Sequence, residues 1–93
     1  MGKSVKSIIK NVKAANQSKV EKLLDEWLVP DIIRVIDDKG PDYVRAGEIA
    51  DELGEELEDV LEKCDSLRKA KLLVETEQSA GFGVIKKYKF NLP

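Results

Sequence analysis

The residues with most chemistry to offer in this sequence are carboxylates. Within GEELEDVLEKCDSLRKAK, residues 54 to 71, Glu55, Glu56, Glu58, Asp59 and Glu62 follow one another closely. Carboxylates can move protons, hold a cation, or accept hydrogen bonds from a donor such as a cytosine amino group. Proton transfer near neutral pH needs an apolar pocket to shift a carboxyl group, and these acids fall on a helix surface instead. The chain has no His, a single cysteine at Cys64, and no run with metal-ligand spacing. The opening MGKS shares the end of a phosphate-binding loop but lacks its upstream glycine and preceding strand. These features point away from an enzyme, and neither a catalytic residue, a metal nor a cofactor is expected.

Charge is unevenly spread. Residues 1 to 22 hold six lysines (Lys3, Lys6, Lys10, Lys13, Lys19, Lys22) against Glu21, whereas residues 48 to 62 hold eight acids and no base. The net charge of −2 is thus a sum of opposed patches, and a partner responds to the patches. With 93 residues, 42% hydrophobic and 37% charged, the chain is expected to form one small folded domain. Cys64 has no cysteine to pair with and lies on an apolar helical stripe, so it reads as a small core residue. That fits a reducing, cytoplasmic compartment. No stretch is long and apolar enough for a membrane span, and the lysine-laden start has no signal-peptide core.

Several elements must carry these residues. Ser4 can cap a short helix with Val5, Ile8, Ile9 and Val12 on one side and Lys3, Lys6, Lys10 and Lys13 on the adjacent face. ANQS breaks that pattern, and SKVE, residues 18 to 21, has the form of a capping box opening a second helix. Val20, Leu23, Leu24, Trp27 and Leu28 give this helix its apolar stripe. Pro30 suits the first turn of a further helix or a kinked continuation, which Gly40 and Pro41 end. YVR is a short β-prone run. Ile49, Ala50 and Leu53 mark a short amphipathic helix closed by Gly54, and Leu57, Val60, Leu61, Cys64 and Leu67 mark a longer one. KLLVETEQ and VIKKYKF then form a hairpin about SAGFG.

At EIADELG...V...C..L..AKLLVE the sequence resembles the winged helix-turn-helix superfamily of transcription regulators, in the broad style of the ArsR and MarR groups. Ala50, Gly54, Val60, Cys64, Leu67, Ala70 and Leu72 carry the likeness, over roughly residues 30 to 90. It implies a mainly α fold with a small β-hairpin (α+β), a winged helix-turn-helix with an extra N-terminal helix. Residues 1–17 are expected as a basic amphipathic helix or arm, and 18–93 as the winged domain. The sequence departs from the pattern twice. Lys71 stands where glycine commonly follows the recognition helix. The outward positions of that helix are Glu58, Asp59, Glu62, Lys63 and Ser66, where the superfamily tends to carry Ser, Thr, Arg, Gln or Lys.

The resemblance implies a double-stranded DNA partner, met through helix 55–70 and a basic wing, by a homodimeric regulator or a replication or partition factor. Compact archaeal, plasmid and viral proteins share this form. Affinity for DNA rests on neutralising phosphates with Lys and Arg, so the acids of this helix oppose it. Positive charge would come from Arg45, Lys63, Arg68, Lys69, Lys87 and Lys89, with Ser66 nearby and Glu58 and Asp59 confined to cytosine contacts. Tyr88 and Phe90 alternate with the wing lysines and are expected in the core, leaving Lys87 and Lys89 outward and Lys86 at a margin. A second function class remains open: an adaptor that binds a protein partner through the acidic helix. In a third and blander reading, the acids only favour the helix dipole. The stripe Val5, Ile8, Ile9 and Val12 reads as a packing or dimer interface, the lysines beside it as a backbone-contacting arm, or the whole as a membrane-surface helix, in that order. Phe82 reads as a loop aromatic folded onto the hairpin or as an outward wedge or anchor.

Overall fold

The computed structural model describes the backbone of residues 14–81 and 83–91. Its elements run α1 (Ala14–Leu23), α2 (Val29–Lys39), β1 (Val44–Arg45), α3 (Ala46–Leu53), α4 (Leu57–Lys69), β2 (Leu73–Ala80) and β3 (Gly83–Phe90). The expected helix of Ser4 to Val12, and Phe82 at the wing tip, lie outside the described residues.

Helix α1 passes through Asn16, Gln17 and Ser18 without the expected break, so Ser18 is an interior residue and not a cap. Three polar residues of middling propensity each cost a helix under about 0.7 kcal/mol, and Val20, fully buried, anchors the segment to the core. A separate helix then starts at Val29. Leu28 makes the corner with a left-handed backbone (φ 74°), and Pro30 sits in the first turn of α2, where its missing N–H costs nothing. The stripe expected for the first of these helices is only partly buried. Val20 and Leu28 are in the core and Leu23 and Leu24 pack at its edge, but Trp27 is 59% exposed.

Helices α3 and α4 meet at Gly54, whose φ of 65° is the left-handed corner that glycine takes without steric cost. The Glu55 N–H closes the turn onto the Ala50 carbonyl at 3.0 Å. After α4 the same device recurs without glycine. Lys71 has φ 69°, and the Leu72 N–H reaches the Leu67 carbonyl at 3.0 Å. The departure at Lys71 is therefore met by a lysine that adopts the glycine conformation, and β2 starts at Leu73.

The sheet has the order β1-β3-β2 and is antiparallel throughout. The hairpin is paired from Leu73↔Phe90 to Ala80↔Gly83, leaving a two-residue loop. Its inner face carries Leu73 and Tyr88 onto a core completed by Ile32, Ile33, Ile36, Ile49, Val60, Cys64, Leu67 and Leu72. Phe90 packs at the edge of that core, half-buried. Among the described residues no charged side chain is buried. Three helices on a three-stranded sheet, preceded by a further helix, make the α+β winged helix-turn-helix arrangement.

Candidate functional site

Strand register decides which cations act together. Val44 pairs with Tyr88 on the inner face, so Arg45 and its partner Lys87 must lie directly opposite each other on the outer face. Lys89 follows two residues along β3 on that face, with its ammonium 4.7 Å from the centre of the Tyr43 ring. Across from these lysines β2 offers Val74 and Thr76, while Glu75 and Glu77 fall on the inner face by the same alternation. Lys87 and Lys89 have no ion pair among the described residues, whereas the Arg45 Nε donates to Glu48 Oε1 at 2.9 Å. Lys86, half-buried, stands opposite Glu77 on the inner side of the wing.

The cations of α4 are engaged differently. Lys63 donates to Glu26 Oε1 at 3.0 Å, tying α4 to the corner after α1. That hydrogen bond raises the Lys63 pKa above its usual value. The Arg68 guanidinium holds Asp65 Oδ1 at 2.7 and 3.2 Å and lies 3.8 Å from Glu75, while Lys69 reaches the other Asp65 oxygen at 3.3 Å. Hydrogen bonds from Arg68 and Lys69 hold Asp65 below the ordinary carboxylate range. The Ser66 hydroxyl donates back to the Glu62 carbonyl at 3.3 Å. Glu58 is exposed and Asp59 half-buried in the first turn, where both favour the helix dipole.

Of the eight acids from Glu48 to Glu62, Glu48 and Glu52 are the ones ion-paired among the described residues, through Arg45 and Lys39. Asp51, Glu55, Glu56, Glu58, Asp59 and Glu62 have no ion pair among the described residues. The structure thus gathers Arg45, Lys87 and Lys89 on one sheet face. It leaves Lys63, Arg68 and Lys69 bound to carboxylates elsewhere.

One feature was not foreseen from residue types. Leu57, expected on the buried stripe of α4, is 47% exposed, and Val84 on the wing is 58% exposed. Between them runs a groove of about 440 Å³, bounded by the start of α3, the first turns of α4 and the wing. Leu61 and Ile85 also line it, as do Glu48, Asp51, Arg45 and Lys86. Helical periodicity put Leu57 on the right face but could not show that this face outruns the sheet.

Other titratable groups serve the core. Burial pushes the Cys64 thiol up to about 12, so it stays protonated and inert. The Tyr88 hydroxyl donates to Glu75 Oε2 at 2.9 Å, and burial, with that hydrogen bond, raises its pKa. No group of three or more metal-ligating side chains occurs among the described residues. Nor is any helix among them long and apolar enough to cross a membrane.

No family model matches the sequence, nor does any curated protein. Among solved structures, the fold is similar to that of a possible transcriptional regulator from Methanosarcina mazei Go1, with a TM-score of 0.51 at 16% identity. The likeness covers 92% of this chain and 64% of that one, so the chain spans somewhat under two thirds of the regulator's length.

Proposed function

We propose that this chain is a DNA-binding winged-helix protein in the manner of the ArsR and MarR groups, without enzymatic activity. It would act in the cytoplasm as a homodimeric transcription regulator, or as a replication or partition factor, holding the duplex backbone chiefly through the outer face of its sheet. The opposition of Arg45 and Lys87 across the β1–β3 ladder supports this most. Like charges directly opposite on adjacent strands destabilise a sheet, and an anion between them removes the repulsion. A phosphate is such an anion, and it could displace Glu48 from Arg45. Lys89 continues the row, and Thr76 beside Lys87 adds a hydroxyl donor.

On this reading the first turns of α4 stand off the backbone, and Glu58 and Asp59 accept at most one or two cytosine amino groups. Lys69, exposed at the far end of α4, reaches phosphate most easily. Lys63, Arg68 and Lys69 would each have to exchange a carboxylate for it, Lys69 from the most exposed position, and Ser66 adds a hydroxyl.

The six acids without an ion pair among the described residues favour a second reading, in which the same fold serves as an adaptor for a basic protein. Duplex binding by wild type and by Glu58→Gln with Asp59→Asn, at two salt concentrations, separates the two. DNA binding predicts higher non-specific affinity in the variant, because repulsion is removed. It also predicts weaker sequence discrimination if the variant gives up hydrogen bonds to cytosine worth roughly 1–3 kcal/mol each. Absence of duplex binding by both proteins at low salt would leave the adaptor.

A further inference from the structure

The groove between the first turns of α4 and the wing presents apolar side chains to solvent, with Arg45 and Lys86 as well as Glu48 and Asp51 in its lining. Leu57 and Val84 are each about half exposed, and large side chains left so on a small domain mark a contact surface. Beside Glu48 and Asp51, the α3–α4 corner and the first turns of α4 add Glu55, Glu56, Glu58 and Asp59, none of them ion-paired among the described residues, so acids outnumber bases around the groove. Whatever fills the groove should therefore be apolar on one side and basic beside it.

This chain carries a segment of that kind. Val5, Ile8, Ile9 and Val12 have the spacing of one helical face, and Lys3, Lys6, Lys10 and Lys13 gather on the adjacent one. Residues 1 to 22 carry six lysines against one acid, and residues 48 to 62 eight acids against no base. The two halves of the charge asymmetry are complementary to each other.

We infer that the groove is the docking site for residues 3–13 of a second copy of this chain, its apolar side on Leu57 and Val84 and its lysines toward Glu48 and Asp51. Exchanged reciprocally, the two segments close a twofold dimer in which each chain's segment fills the other's groove. The inference rests on the homodimer of the proposed function and adds where its interface lies. It also gives the acids of α3 and α4 a partner that does not depend on DNA. Attraction between opposed patches speeds encounter and fixes orientation, and desolvation of the apolar faces provides the affinity.

The test uses full-length chains and sedimentation velocity. Wild type should sediment as a dimer that weakens with added salt. Leu57→Asn with Val84→Thr should weaken the dimer roughly tenfold or more while leaving far-ultraviolet circular dichroism and the melting transition intact, since both sites are already exposed. Two charge reversals supply the stricter arm. Glu48→Lys with Asp51→Lys, and separately Lys6→Glu with Lys10→Glu, should each give monomers, and an equimolar mixture should recover the dimer. A monomeric wild type at high micromolar concentration would overturn both the dimer and the docking. A dimer that survives the groove variant, or a mixture that stays monomeric, would overturn the docking and leave the dimer standing.

Discussion

Lys71 holds a left-handed backbone that a β-carbon disfavours by about 1–2 kcal/mol, an excess that glycine avoids. Glycine gives back part of this through the entropy of the unfolded chain, so Lys71→Gly should stabilise by about 0.5–1 kcal/mol net. Thermal denaturation would show this as a rise of roughly 2–8 °C in a domain of this size. The contrast is Leu28, equally left-handed at φ 74° but only 4% exposed. There a glycine would forfeit a buried side chain worth roughly 2–5 kcal/mol, and packing outweighs strain. Cys64 should stay unreactive toward an aromatic disulfide reagent in the native protein and react only on unfolding. Asp65 sets an acid dependence. Its folded pKa lies below the unfolded value near 3.8, so its pairs with Arg68 and Lys69 contribute stability above that pH and lose it as pH falls through the folded value. Asp65→Asn should lower stability at neutral pH and flatten the loss of stability on acidification, which denaturant titrations across the acid range would measure.

Helix α4 shows what one element can be asked to do. Its buried side, with Val60, Cys64 and Leu67, and the glycine corner before it were legible from spacing, because helical periodicity and a left-handed turn are local matters. The partners of its cations were not. Glu26 lies 37 residues from Lys63, and only the packing of α4 against the corner after α1 brings them within 3.0 Å. Breaking this tie with Glu26→Gln should free Lys63 toward solvent and raise low-salt affinity for duplex DNA if α4 lies near phosphate; unchanged affinity would place Lys63 away from the duplex. The exposure of Trp27 and Leu57 was hidden for a related reason, since periodicity names a face without saying how far the opposing surface extends. The opposition of Arg45 and Lys87 depends on the register of a two-residue strand, which no local pattern specifies. ANQS misled because a polar run interrupts an apolar stripe without having to end a helix.

At the scale of the whole molecule, charge is sorted onto separate surfaces. An acidic shoulder is formed by the end of α3 and the start of α4, and a basic sheet face lies beyond β1 and β3. On the proposed reading, Arg45, Lys87 and Lys89 attract a polyanion and the shoulder repels it, so the sheet face supplies much of the sequence-independent affinity. The salt dependence of duplex binding tests this role of the sheet face. The slope of the logarithm of the association constant against the logarithm of salt concentration is compared for wild type and for Lys87→Ala with Lys89→Ala. The variant should bind every sequence more weakly, with a slope shallower by roughly 0.9 for each phosphate that it no longer neutralises. An unchanged slope in the variant, or no binding by wild type at low salt, would contradict that role.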